Sequence, residues 1–410
     1  VGSEMCIRDR YIGFILLAVL ALILLLLLIA VIRTLLMPSK TSTYVAKESE
    51  EESLALARKL SKMVQYDTTS HANVAEVEKF LGFHKVLEEL FPLVHEKLEK
   101  TEIDGNLLFY WKGKSSQKPI LLMSHQDVVP AEGEWVHEPF SGDIADSKVW
   151  GRGTSDTKAS VMAFFQAVEE LLAEGFVPPT DVYLASSCTE EWGGDGAPKI
   201  VAELQKRGIE LFLVCDEGGG IITDPIGGIY GNFAMVGVFE KGKGDVKFTA
   251  RSNGGHASTP VKGTPIARLA AFVNEVETHS PFKKKMLPEV AAMFTRLSPY
   301  AGFGMKLVFG NLWLFRPLLN AVLPAISAQA GAMLKTTIAF TVQKGSDAYN
   351  VLPQEAYVGA NMRFIPHQGE KESLEIIRKV AEKHGLETEV LHANDYTELS
   401  LIHISEPTRH

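Results

Sequence analysis

The stretch that most limits what this chain can become is Lys118-Pro119-Ile120-Leu121-Leu122-Met123-Ser124-His125-Gln126-Asp127-Val128-Val129-Pro130. Four apolar residues in a row, opened by one proline and closed by another, read as a short strand buried on both faces. His125 and Asp127 stand at its C-terminal end, and in a parallel sheet that end is where ligands bind. Alone, His-x-Asp reads equally as an ordinary polar strand end. It also suits a metal ligand followed by the carboxylate that orients a neighbour.

The same arrangement returns along the chain. In Trp150-Gly151-Arg152-Gly153-Thr154-Ser155-Asp156-Thr157-Lys158 the glycines make a tight turn and land Asp156 at the start of a helix, where by itself it reads as an N-cap. Ser186-Ser187-Cys188-Thr189-Glu190-Glu191-Trp192-Gly193-Gly194 sends two adjacent glutamates out of a buried strand. Leu213-Val214-Cys215-Asp216-Glu217-Gly218-Gly219 again runs strand, acid, glycine. Solvation explains any one of these, but not all of them in one sheet. Imidazole and carboxylates around an open position are the ligands of catalytic zinc, and a bridging carboxylate suits a two-metal hydrolytic centre. The same ligand types also accept cobalt or manganese.

In order and spacing, Ser124-His125-x-Asp127, Gly151-Arg152-Gly153-x-x-Asp156-x-Lys158, Glu190-Glu191-x-Gly193-Gly194 and Asp216-Glu217-Gly218-Gly219 resemble the motifs of the dinuclear zinc exopeptidase family. That family includes aminoacylase, carboxypeptidase S and glutamate carboxypeptidase. The resemblance implies that His125 and Asp216 hold one zinc, Glu191 the other, and that Asp156 bridges both. It implies that Asp127 fixes the His125 tautomer and that Glu190 is the general base for water attacking an amide carbonyl. A cis peptide after Asp156 is also implied.

Further on, Asn253-Gly254-Gly255-His256-Ala257-Ser258-Thr259-Pro260 matches the family's lid histidine. His256 would steady the oxyanion, across a homodimer in dimeric relatives; on its own it reads as a surface loop residue. Asn350 and Arg363 match positions that grip a substrate's free carboxylate, a task suited to a planar guanidinium. The expected substrate is an N-acyl amino acid or short peptide. The branch most resembled is that of carboxypeptidase S and the N-fatty-acyl-amino-acid hydrolases. A membrane-anchored binding protein with an inactive metal site is the alternative.

Ile12 to Ile32 carries no charge and is dominated by Leu and Ile, about the length that crosses a bilayer. It reads as a single membrane anchor with the catalytic domain outside the cytosol. The flanking charges do not give its orientation, because the first ten residues, like residues 399–410, resemble translated adaptor sequence and are set aside. The net charge of −9 and the lack of a long Lys/Arg tract argue against nucleic acid as a partner. Three cysteines give no disulfide framework, and Cys188 and Cys215 read as core residues.

The expected organisation is an anchor over 11–36, a linker over 37–52, and a catalytic α/β domain over 53–231 with an open, mostly parallel sheet and helices on both faces. Within it, helices are expected near 51–64, 73–90, 157–173 and 197–206. A ferredoxin-like lid follows over 232–393, read from a βαββαβ order and interrupted by a proline-broken apolar insertion over about 280–331. Residues 394–398 would begin the return to the catalytic domain. The resemblance implies a last histidine ligand in that returning segment. Since His392 ends the lid's last strand, the chain is expected to lack that ligand, to bind the second zinc poorly and to leave part of its sheet uncovered.

Overall fold

A computed structural model describes residues 2–41, 49–72, 74, 76–218 and 220–398. The chain divides into two compact units, one of residues 45–218 and one of residues 1–44 with 219–410. The suspected adaptor at 399–410 and much of the linker, 42–48, lie outside the described residues.

The first unit is built on a five-stranded sheet in the order Glu99–Ile103, Asn106–Trp111, Val182–Ser187, Ile120–His125, Leu213–Cys215. Two of its four pairings are antiparallel. The two that flank Ile120–His125 are parallel. The sheet is therefore mixed rather than mostly parallel, and its parallel half carries the chemistry.

Alternate residues of the buried strands serve opposite faces, as the two-residue strand period requires. Leu107, Phe109, Val182 and Leu184 pack with Val161, Phe165 and Val168 of helix Lys158–Ala173 and with the helices before it. Leu108, Tyr183 and Ala185 pack with Ile200 and Leu204 of helix Gly196–Lys206 on the other side. Helix Glu50–Val64 opens with a capping box in which Ser49 and Glu52 satisfy each other's backbone N–H groups. The second helix begins at Val77, and an unforeseen short helix, Pro92–Lys97, follows it.

Two readings of single residues are corrected. Asp156 does not cap the helix it precedes: Thr157 holds the N-cap position and no side chain bonds there. Cys215 is exposed, because Leu213–Cys215 is an open edge strand, whereas Cys188 is buried.

In the second unit a four-stranded antiparallel sheet runs Thr337–Lys344, Glu355–Phe364, Gly242–Arg251, Glu387–Asn394. With helices Pro265–Thr278 and Gly369–Lys383 packed on it, this is the strand order of a ferredoxin-like sandwich. Ahead of and within this sheet, the segment 232–251 folds as strands Asn232–Met235, Phe239–Glu240 and Gly242–Arg251. Thr397–Glu398 pairs with Phe239–Glu240 inside this same unit. The insertion folds as helices Pro288–Leu297, Phe303–Phe309, Leu312–Ile326 and Ala328–Ala332 around a separate apolar cluster that includes Phe294, Phe309 and Leu319.

Lys158 ties the first unit together. It is fully buried, and its Nζ donates to the carbonyls of Met63 (3.1 Å) and Tyr66 (2.6 Å) at the end of helix Glu50–Val64. Burial pulls its pKa down to about 7, against the opposing charge of Asp67. Lys158→Met leaves those carbonyls unpaired and is expected to cost about 1–3 kcal/mol, read by chemical denaturation. Because the folded pKa lies below the unfolded one of about 10.4, the unfolded state binds more protons between them. This lysine's contribution therefore rises with pH from about 7 upward, and the gap between the native protein and Lys158→Met is expected to widen over that range. A gap independent of pH would contradict the assignment.

Candidate metal centre

Strand register builds the site. His125 lies opposite Ser187 in the parallel pair, so the turn after Ser187 leaves the sheet level with His125. On the other side Leu122 lies opposite Cys215, which sends the acids after Cys215 forward beside the histidine. Gly153 allows the loop before Asp156 to pass close: its φ is 83°, and a Cβ there would stand 2.7 Å from Val128 Cγ1. The Glu190-Glu191 turn closes through Gly193, φ 68°, whose N–H donates to the Glu190 carbonyl at 2.7 Å.

Asp127 is the hub. Fully buried, its carboxylate accepts from the Ser70 hydroxyl (2.7 Å) and from the backbone N–H groups of Glu190 and Glu191 (3.2 Å each). It also lies 3.3 Å from His125 Nδ1, while the Asp127 carbonyl is 2.9 Å from the same nitrogen. One buried anion thus fixes the histidine and both glutamates. With two oxygen acceptors on its Nδ1 side, the imidazole carries its proton there and turns the Nε2 lone pair outward.

Around Nε2 stand Asp156 Oδ1 at 3.0 Å, Glu217 Oε2 at 3.1 Å and Glu190 Oε2 at 3.7 Å. Glu217 Oε2 is buried and, despite its closeness, lies off the line of a hydrogen bond. Among the described residues, the ligand atoms of His125, Asp156 and Glu217 all lie within 4.8 Å of one another. A lone pair facing this many carboxylate oxygens repels them unless a cation lies among them. The donor set therefore fits a divalent ion of the zinc type. Without such an ion the imidazole takes up the charge itself: burial pushes its pKa down, but Asp127 and Glu217 outweigh this and carry it up to about 11.

Glu191 is pushed up to about 7, first by burial and then by the charge of Asp156. Glu190 is raised by burial and by Glu217, Asp127 and Asp156, against the pull of His125. The Asp156–Thr157 peptide is cis. Asp216 is exposed, and its Oδ1 accepts the Glu217 N–H at 2.8 Å. Sequence reading singled out Asp216 and passed over Glu217, although the two adjacent acids after one strand were there to be weighed together. Lys158, quoted only as part of a motif, was likewise not given a role.

The remaining candidates belong to the second unit. His256 pairs with Val351 in a two-stranded ribbon, and the Ala257 N–H donates to the Asn350 carbonyl at 2.9 Å, so His256 and Asn350 share one small structure. The His256 imidazole is exposed, with Nδ1 2.8 Å from the Ser258 hydroxyl. Arg363 projects from strand Glu355–Phe364, its Nε donating to Asn361 Oδ1 at 3.2 Å.

Residues 121–395 match the model of peptidase family M20/M25/M40. The chain is 34% identical over 388 residues to a probable carboxypeptidase S-like 2 of Dictyostelium discoideum, covering 92% of this chain and 73% of that relative. It is 33% identical over 367 residues to the human N-fatty-acyl-amino acid synthase/hydrolase PM20D1, covering 87% of this chain and 72% of the relative. Among solved structures it resembles the M20 family metallo-carboxypeptidase Sso-CP2 of Sulfolobus solfataricus. The TM-score there is 0.57 at 18% identity, over 84% of this chain and 80% of that one.

Two substitution experiments test the centre. Asp127→Asn is expected to weaken zinc binding about 10–100-fold in competition with a chromogenic chelator, the usual penalty for losing a carboxylate behind a ligating histidine. Glu217→Gln is expected to lower bound metal more than Asp216→Asn. The reverse order would favour Asp216 as the ligand of the pair.

Proposed function

The chain belongs to peptidase family M20/M25/M40, a metal-dependent hydrolase family, and on that premise we propose that it cleaves the amide bond of N-acyl amino acids or short peptides bearing a free carboxylate. The observation that carries this reading is the His125 imidazole, fixed from behind by Asp127 and faced in front by carboxylates. We assign one ion to His125, Asp156 and the Asp216-Glu217 pair, and a second to Asp156 and Glu191. Zinc bound there would supply Lewis acidity, drawing a water toward ionisation and polarising the amide carbonyl.

The chain's own residues do the rest. Glu190 takes a proton from the attacking water and returns it to the leaving amine. Its raised pKa suits both halves of that task. Asp127 keeps the Glu190-Glu191 turn and the imidazole in register, so the base does not drift from the ligands. His256 is proposed to donate to the oxyanion, and Asn350 and Arg363 to hold the free carboxylate, Arg363 through paired hydrogen bonds. The apolar helix Gly13–Leu36 is long enough to cross a bilayer, and its large side chains are exposed along its length. We read it as a retained anchor.

Glu190→Gln is expected to lower kcat about 10²–10⁴-fold while leaving bound zinc unchanged, measured on the same preparation by turnover and metal analysis. Loss of metal together with activity would show Glu190 acting as a ligand instead. For the substrate class, long-chain N-acyl glutamine or leucine is expected to be hydrolysed faster than acetylated or dipeptide analogues. Equal or reversed rates would sink the fatty-acyl part of the proposal and leave the amide hydrolase standing.

A further inference from the structure

The insertion is fastened to the last two turns of the apolar N-terminal helix. Ala30 and Thr34, one turn apart, are the buried residues of an otherwise exposed apolar stretch, and Asn311 covers them. The Asn311 side-chain amide lies 3.2 Å from the Ala30 carbonyl and 3.0 Å from Thr34 Oγ1. Lys306, also buried, donates from Nζ to the Met37 carbonyl at 2.8 Å and to Ser39 Oγ at 2.9 Å. The Lys40 N–H donates to the Pro299 carbonyl at 2.8 Å. Met37 packs against Gly310, where a Cβ would meet its Cε at 2.5 Å. Asn311 is the residue at the corner between helices Phe303–Phe309 and Leu312–Ile326, which meet at 99°.

Ala30 lies six residues inside the helix end at Leu36, about 9 Å along the axis at 1.5 Å per residue. A corner bonded to that carbonyl lies at the depth of the apolar helix's last turns. What Leu312–Ile326 exposes there is apolar: Trp313, Leu318, Val322 and Ile326 are open, and its single charge is Arg316 near its start. Phe303 of the partner helix is open as well. An apolar stripe with a tryptophan and an arginine at one end is the pattern of a helix lying in a membrane interface, the two polar ends reaching toward the headgroups.

We propose that helices Phe303–Phe309 and Leu312–Ile326 rest in the lipid leaflet, docked on the end of the anchor helix as a second, non-spanning membrane contact. The occupant of the exposed stripe is the bilayer, because the helix that carries it starts at Asn311, the corner bonded to the apolar anchor helix. The proposal rests on the reading of Gly13–Leu36 as a retained anchor. It adds that the second unit is held to the membrane at two places and so does not swing freely on a tether.

The full chain in phosphatidylcholine vesicles tests this by spin labelling, with Cys6→Ser and Cys215→Ser as background, since Cys188 is buried. Labels go on Leu318→Cys or Ile326→Cys, on Leu20→Cys in the anchor, and on Glu375→Cys on the exposed face of helix Gly369–Lys383 as a water control. Collisions with oxygen and with a water-soluble nickel chelate are then compared. Labels at 318 and 326 are expected to favour oxygen several-fold over the label at 375, as at 20. A lipid-facing label at 20 with water-facing labels at 318 and 326 overturns the second contact and leaves the anchor standing. Shielding of 318 and 326 from both reagents means a second copy covers the stripe and overturns it too. A label at 20 that is outside lipid, or missing from the mature chain, overturns both readings. If either labelled variant fails to fold, the other carries the measurement, and Thr34→Cys with Asn311→Cys, cross-linked by oxidation, checks the docking without a probe on the stripe.

Discussion

The carboxylate of Asp127 is the interaction on which the first unit's site depends. It carries its charge in the interior, where an anion without partners is costly, and it is kept there by the Ser70 hydroxyl, two backbone N–H groups and the His125 ring. These partners come from three pieces of chain: the segment after helix Glu50–Val64, the turn after strand Val182–Ser187, and the end of strand Ile120–His125. Satisfying one buried charge therefore assembles three segments, and the outward-facing lone pair of His125 is a by-product of that arrangement. Removal of the negative charge would loosen the ligand, the base and the turn together.

Much of this was legible from residue order. Apolar runs ending in acids or histidine located the strands and the edge where the site forms, and His125, Asp127, Asp156 and Glu190 are brought together there. The failures have physical reasons. Asp156 looked like a helix cap because local chemistry favours it, but a cluster of charge elsewhere in the fold outbids a single N–H bond. Cys215 looked like core because its strand is apolar, yet an edge strand has a neighbour on one side only. Sequence reading named Asp216 as the ligand, and in the structure Glu217 Oε2 stands 3.1 Å from His125 Nε2: which of two adjacent acids turns inward is set by where the strand ends relative to His125, and that is a matter of register with a distant strand. The antiparallel half of the sheet was missed for the same reason, since pairing direction leaves no mark on a single strand.

The second unit shows the reverse balance. Its βαββαβ order was readable because alternation and helix periodicity are local, and the strand order follows the expected sandwich. Its insertion was not readable, because prolines at 317 and 324 lie inside a helix rather than ending one. Each lacks the N–H that would bond the carbonyl four residues back, and the helix continues through both. The buried polar groups Lys306 and Asn311 then find partners in backbone carbonyls of a helix that sequence reading had treated as a bare anchor.

The alignment of strand Ile120–His125 between its two parallel neighbours acts as a ruler for the chemistry. A residue added or removed within that strand would shift His125 by about 3.3 Å and turn it to the opposite face. The connection between Asp127 and Asp156 is uneven: 132–136 stand out in solvent, whereas the Ser141 and Gly142 carbonyls accept from Gln65 and Ser61 of helix Glu50–Val64 and its end, and the ribbon Ile144–Ala145 with Lys148–Val149 follows. Length is thus rationed unevenly along the chain. Natural variation and engineered tags have room in the exposed 132–136 stretch, while the few residues from Ile120 to Asp127 tolerate changes of side chain far more readily than any change of count.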